Sequence, residues 1–341
     1  MNIEEFNYDL PEKLIAQTPL KNRSDSKLLI MNKETGKLEE SIFKNIGMYL
    51  KKGDVLVLND SKVIPARIIG EKEDTGAVIE LLLLKDKGEN RWEALSRPYK
   101  RLHIDTMISF GDGMLKAKVI SLKGEGIVEV EFIYEGIFME ILDKLGTMPL
   151  PPYIHEKLKD QNRYQTVYAK ILGSAAAPTA GLHFTKELLK ELENKGIEIL
   201  FVTLHVGLGT FRPVEEEDIR DHKMHTEYFE LSSDVAAKLN KAKAEKRKIY
   251  AVGTTSTRVL ETIASKYESF KPYMGTTDIF IYPGYKFKAI DGLITNFHLP
   301  KSTLLMLVSA LSSKDHILNA YQYAIKNNYR FFSFGDAMFI K

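Results

Sequence analysis

Asp54-Val55-Leu56-Val57-Leu58-Asn59-Asp60 is the stretch on which the fold turns. Four consecutive apolar residues, bounded by acidic and amide side chains, predict a strand buried on both faces. A buried strand that ends in polar residues is typical of an open α/β sheet, where ligands collect at the carboxyl ends. Leu28-Leu29-Ile30-Met31 repeats the pattern upstream, and 197–203 and 248–252 repeat it downstream. Residues 186–195 and 233–246 carry helical spacing with the charge mix of exposed faces. A hydroxyl cap at Ser302-Thr303 opens a further helix over 304–311, and helices are also predicted between Phe6 and Ile64.

From 65 to 149 the texture becomes β. Candidate strands are 66–71, 77–85, 91–97, 106–110, 115–122 and 126–134, separated by Gly, Asp, Asn and Lys turns. Short strands at even spacing predict a small barrel or sandwich. Residues 137–145 are expected to form a closing helix, and Pro149, Pro151 and Pro152 to mark a rigid exit. The expected layout is a discontinuous α/β domain, residues 1–64 and 150–341, interrupted by a β domain at 65–149.

With 341 residues the chain is long enough for one large domain or two modest ones. No apolar run reaches the roughly 20 residues that span a bilayer, and Met1-Asn2-Ile3-Glu4-Glu5 lacks the features of a signal peptide. Cysteine is absent, so there is neither a disulfide framework nor a thiolate metal site. A cytoplasmic monomer without membrane contact is expected. The balance of 48 Lys+Arg against 46 Asp+Glu is too even to mark a nucleic-acid binder by bulk charge, so any RNA contact must come from local patches.

Four segments concentrate Gly, hydroxyl and His residues. In Gly173-Ser174-Ala175-Ala176-Ala177-Pro178-Thr179-Ala180-Gly181-Leu182-His183-Phe184-Thr185, small residues let backbone approach a ligand ahead of a helix start. An ordinary loop with Thr185 as cap is the plainer reading. Leu204-His205-Val206-Gly207-Leu208-Gly209-Thr210-Phe211-Arg212-Pro213 lacks the third glycine of a dinucleotide fingerprint, which disfavours a Rossmann site. His222-Lys223-Met224-His225-Thr226-Glu227 has spacing that suits metal ligation, with His205 as a further donor, and so raises a metal-dependent hydrolase as a rival. On a strand, His225 and Glu227 would share one face and fit an acid/base pair equally well; surface histidines without a role are the third reading. Val252-Gly253-Thr254-Thr255-Ser256-Thr257-Arg258 sits between strand and helix, where hydroxyls, amides and Arg258 can hold an anion, but it is not a P-loop. Asp278–Tyr285 and Thr295–Thr303 (278–285 and 295–303) flank further strands. The residues alone imply an α/β enzyme with an anion-tolerant cleft. A noncatalytic RNA-binding module is the other rival.

Many of these segments resemble, in one order, the S-adenosylmethionine:tRNA ribosyltransferase-isomerase family of queuosine biosynthesis. The resemblance runs through Phe6-Asn7-Tyr8-Asp9-Leu10-Pro11, Leu58-Asn59-Asp60-Ser61-Lys62-Val63-Ile64-Pro65-Ala66-Arg67, Arg97-Pro98, Lys100-Arg101-Leu102 and Tyr164-Gln165-Thr166-Val167-Tyr168-Ala169. It continues through 176–184, 206–213, 252–261, 277–285, 291–309 and 332–338, and Ile171-Leu172 and Thr276 depart from it. It implies a mixed-sheet α/β domain with an inserted small antiparallel β-barrel. It also implies transfer and isomerisation of the ribosyl group of S-adenosylmethionine onto 7-aminomethyl-7-deazaguanine in a tRNA anticodon, giving epoxyqueuosine and releasing adenine and methionine. No bound prosthetic group and no metal are then expected, with S-adenosylmethionine as co-substrate and tRNA as partner. Catalytic candidates are His183, His205, His225, Glu227, Asp278 and His298. Thr179, Gly181, Gly207, Gly209, Thr210, Thr254, Thr255, Ser256 and Arg258 are candidates for substrate binding, and Arg97, Lys100 and Arg101, with Tyr99 among them, for RNA.

Overall fold

In a computed structural model, which describes residues 1–207, 214 and 216–341, the Val55–Asn59 strand lies deep inside a large sheet. In chain order the strands are β1 (Lys27–Met31), β2 (Leu38–Ile42), β3 (Val55–Asn59), β4 (Ser61–Val63), β5 (Arg67–Lys72), β6 (Val78–Gly88), β7 (Arg91–Arg97), β8 (Met107–Phe110), β9 (Leu115–Gly124) and β10 (Ile127–Tyr134). They continue as β11 (Ile171–Ser174), β12 (Glu198–Leu204), β13 (Glu227–Leu231), β14 (Ile249–Val252), β15 (Tyr273–Thr277), β16 (Gly292–Asn296) and β17 (Ala337–Ile340). The α-helices are α1 (Phe138–Leu145), α2 (Lys186–Asn194), α3 (Ser233–Ala244), α4 (Gly253–Lys266), α5 (Thr303–Leu311) and α6 (Lys314–Lys326). Two units emerge: residues 1–62, 151–171 and 177–341 form one, and residues 63–150 with 172–176 form the other.

The first unit holds a mixed sheet in the order β15-β13-β12-β3-β14-β16-β17-β1-β2. β12, β3, β14 and β16 run parallel, β17 is antiparallel to β16, and β1 is parallel to β17. Every residue of β3, β14, β16 and β17 is buried, as a sheet covered on both faces requires. Strand alternation puts Leu28, Ile30, Leu56, Leu58, Tyr250, Val252, Ile294 and Phe339 into one core cluster, together with Phe43, Ile46, Phe184, Leu188 and Leu192. The helix over 186–194 contributes through Leu188 and Leu192, four residues apart on one face, and Thr185 caps it by accepting from the Leu188 N–H at 3.1 Å. The segment from Phe6 to Ile64 departs from expectation. Its helical pieces are short 3-10 turns, such as Phe43–Tyr49, with no α-helix among the described residues. Its apolar runs are too brief to sustain an amphipathic helix.

The second unit is a closed antiparallel barrel in the order β10-β7-β6-β5-β8-β9. Alternate residues point inward, as Val128, Val130 and Phe132 do on β10 and Leu115, Ala117 and Val119 on β9. The β6–β7 hairpin turns on Glu89 and Asn90, both at positive φ, the two-residue geometry that matches strand twist. The helix over 138–145 packs Phe138 against Trp92, Phe132 and Tyr134. The six strands anticipated from the sequence are therefore present, 91–97 at the expected bounds and the others with ends displaced by no more than three residues.

Candidate active site

The carboxyl ends of β14 and β16 open into a cleft that encloses about 670 Å³ of space, part of it open to solvent. The position is the one an open parallel sheet favours for a ligand. One wall is the Thr179–His183 3-10 turn, whose Pro178, Thr179 and Ala180 line the cleft. The opposite wall is the end of β16, with Thr295, Asn296, Phe297 and His298, and the floor is the start of α4, with Gly253, Thr254 and Thr255. Tyr153, Phe332 and Ser333 close one side, with the Tyr153 hydroxyl 2.7 Å from Ser333 Oγ.

Two glycines make these walls. Gly253, at φ +86°, turns β14 into α4 in a conformation L-residues rarely adopt. A Cβ at Gly181 would lie 2.0 Å from the Tyr168 hydroxyl, so that position needs glycine for packing, and its site role is to let the turn seat on Tyr168. The start of α4 has no side-chain cap, which leaves first-turn N–H groups for a ligand. Thr255 Oγ1 and Ser256 Oγ are buried without a hydrogen-bond partner, as is Asn296 Oδ1. Buried polar atoms seldom stay unpaired, so the two on residues that line the cleft, Thr255 Oγ1 and Asn296 Oδ1, are the ones a bound molecule would satisfy. Thr254 and Thr255 line the cleft, whereas Ser256 is fully buried beside it.

Both buried histidines are neutral. His298 Nε2 lies 2.9 Å from Thr295 Oγ1, its backbone N–H donates to the Tyr321 hydroxyl, and burial pushes its pKa down to about 3. His183 Nδ1 lies 2.8 Å from Ser26 Oγ and its ring stacks on Phe43, with centroids 4.9 Å apart. Burial lowers its pKa to about 4. The neighbouring Asn296 side chain opposes that shift, and His183 Nε2 is left without a hydrogen-bond partner. At neutral pH these rings act as hydrogen-bonding groups, not as imidazolium acids.

Glu227 and Arg258 form a buried ion pair, and Glu227 Oε1 also accepts from the Gly207 N–H at 2.8 Å. Arg258, expected to clamp a ligand anion, is thus held by a carboxylate of the protein, with its Nε and Nη2 left unpartnered. The proposed shared strand face of His225 and Glu227 does not exist. β13 begins at Glu227, and His225 lies before it, exposed, while Glu227 is buried. Asp278 is likewise exposed just past β15, and neither it nor His225 lines the cleft. His205 is half-buried and stacked on Tyr228, with centroids 5.9 Å apart, and burial lowers its pKa. His222 pairs with Glu216. Among the described residues no three His, Asp or Glu side chains meet in a group able to hold a metal. Gly209 and Thr210 lie outside the described residues.

Arg97, Lys100 and Arg101 are exposed on the barrel unit, the last two on a 3-10 turn beside Tyr99, and none makes an ion pair among the described residues. Sequence reading passed over Tyr153, Ser333, Arg23 and Arg163, which come from distant segments. It also placed no weight on Glu261, whose fully buried carboxylate accepts from the Tyr285 hydroxyl and the N–H groups of Lys288, Ala289 and Ile290. Glu261 is a loop anchor. Asn59, flagged as a polar strand end, pairs through its amide with the Leu204 backbone in both directions.

Known proteins resemble this chain along its whole length. A family model described as queuosine biosynthesis protein matches residues 3–340. An S-adenosylmethionine:tRNA ribosyltransferase-isomerase from Caldanaerobacter subterraneus subsp. tengcongensis is 58% identical over 340 residues, covering all of both chains. The crystal structure of an S-adenosylmethionine tRNA ribosyltransferase from Thermotoga maritima is 38% identical, with a TM-score of 0.58, over 99% of this chain and 100% of that one. From matches that run from end to end, the chain belongs to the queuosine biosynthesis protein family.

Proposed function

We propose that the protein is an S-adenosylmethionine:tRNA ribosyltransferase-isomerase. It moves and rearranges the ribosyl group of S-adenosylmethionine onto 7-aminomethyl-7-deazaguanine in a tRNA anticodon, forming epoxyqueuosine and releasing adenine and methionine. The observation that carries this reading is the 58% identity to a curated enzyme of that name across the full length. The cleft at the ends of β14 and β16 supports it, with unpaired polar atoms suited to a nucleoside.

The sulfonium acidifies the ribose 5′-carbon, departure of adenine needs hydrogen bonds to its ring nitrogens, and the attacking amine must be uncharged. Neutral His298, with Thr254, Thr255 and the first amides of α4, orients the nucleoside in this reading, and neutral His183 supports the Thr179–His183 turn behind it. The Glu227–Arg258 pair, tied to Gly207, positions the segment that follows β12. Arg97, Lys100 and Arg101 meet tRNA phosphates. No helix among the described residues is long and apolar enough to cross a membrane, and a cytoplasmic monomer remains part of the proposal.

The test is incubation of the protein with S-adenosylmethionine and precursor-bearing tRNA, followed by chromatography for adenine. Release of adenine in step with nucleoside conversion is expected. A folded protein that binds both substrates and releases none would overturn the reading.

A further inference from the structure

A second, smaller recess lies behind the Thr179–His183 turn, enclosing about 300 Å³ of partly open space, and it touches the cleft at Ser333, which lines both. Its walls carry Arg23 and Arg163, and its floor carries Ser26 and His183. Neither arginine makes an ion pair among the described residues. Arg23 donates to the backbone carbonyls of Asn162, Arg163 and Leu182, and Arg163 to those of Leu20 and Lys21. A guanidinium has five N–H donors, so both retain donors beyond these bonds. Arg163 Nε is buried with no acceptor, and so is His183 Nε2 on a side chain only 4% exposed. Arg330 adds positive charge near His183, while the acids that act on these arginines stand back: Asp160 influences Arg23, and Asp336 accepts from the Arg330 and Lys27 backbones. Two half-buried guanidiniums with spare donors, and no carboxylate of their own, call for an anion. The recess is smaller than the cleft and shares Ser333 with it, which suits the anionic end group of a ligand seated there better than a phosphodiester with a ribose on each side.

We propose that this recess is an anion subsite for the α-carboxylate of the sulfonium co-substrate, bound by Arg23 and Arg163 while the nucleoside occupies the cleft across Ser333. This rests on the reading of S-adenosylmethionine as co-substrate. Isothermal titration of the full-length protein with S-adenosylmethionine and with decarboxylated S-adenosylmethionine, which keeps the sulfonium and amine but lacks the carboxylate, tests it. The wild type binds the carboxylate-bearing ligand tighter by roughly tenfold or more. Arg163→Gln removes most of that preference and leaves affinity for the decarboxylated ligand within about twofold, and Arg163→Lys, which keeps the charge, falls between them. Equal wild-type affinity for the two ligands overturns the subsite, and this arm needs no variant to fold. Equal loss of both ligands in Arg163→Gln overturns it in favour of a purely structural role. Loss of tRNA affinity with the preference intact overturns it in favour of a phosphate contact. A wild type that binds neither sulfonium overturns the co-substrate reading itself, a failure distinct from the other three.

Discussion

Replacing His298 with Gln should change how the protein's stability responds to acid, by an amount the structure sets. The imidazole is 9% exposed, touches Thr295, and has a pKa pushed down to about 3 by burial. In the unfolded chain it titrates near the ordinary value of about 6.5. Between those two values the unfolded state holds a proton that the folded state refuses, so stability rises with pH there. The contribution is complete above pH ~6.5 and falls by about 1.4 kcal/mol per pH unit below it, down to the folded pKa. From pH 7 to pH 5 the residue therefore costs the wild type about 2 kcal/mol. Gln places an amide where Nε2 stands and does not titrate, while groups common to both proteins cancel. Urea unfolding of wild type and His298→Gln at pH 7, 6 and 5 should show the difference in stability moving by about 2 kcal/mol in favour of the variant as pH falls. A difference that stays constant across this range would refute the buried, neutral state assigned to His298.

Other substitutions probe other parts of the site. Glu227→Gln leaves the buried Arg258 without its carboxylate and should cost about 3–5 kcal/mol in chemical denaturation, with a large part regained when Arg258→Met is added; an unchanged midpoint in the single variant would remove the pair from the stabilising set. Gly181→Ala drives a Cβ toward the Tyr168 hydroxyl, so a loss of roughly 1–3 kcal/mol is expected by thermal melting, and Gly181→Ala with Tyr168→Phe should recover part of it. Charge reversal of Lys100 and Arg101 should weaken tRNA binding and reduce the slope of log affinity against log salt by about 2; an unaltered slope would move the RNA contact elsewhere.

The barrel was legible because its short strands come at even spacing between Gly, Asp, Asn and Lys turns, a signal that local sequence carries whole, and the structure adds the alternation of inward and outward residues along 115–122 and 127–134. The buried strands β1, β3, β12 and β14 were legible as apolar runs. The site was legible in segments and not in partnerships. Thr254 and Thr255, flagged as hydroxyls between strand and helix, do line the cleft, but nothing local announces that Arg258 meets Glu227, 31 residues away. The pairing of His225 with Glu227 failed because alternation was counted through a segment that precedes the strand. Arg23 and Arg163 stand 140 residues apart and converge only through the folded backbone, each holding carbonyls of the other's segment. Taken singly, each reads as an ordinary surface cation.

The place of β17 in the large sheet has a consequence for the order in which the molecule can be made. Ala337–Ile340 lies between β16 and β1, parallel to one and antiparallel to the other. During synthesis β1 and β2 emerge as a hairpin long before β17, the strand that joins them to the rest of the sheet. About 300 residues separate Met31 from Ala337, which at ~5–20 residues per second is roughly 15–60 seconds of translation. Through that interval one edge of β1 has no neighbour, and the sheet stays split in two. Assembly of the nucleoside cleft, whose wall at Phe332 and Ser333 shortly precedes β17, therefore waits for that strand, and a chain that has emerged only as far as Ser333 would carry nearly every site residue while lacking the strand that seals the sheet.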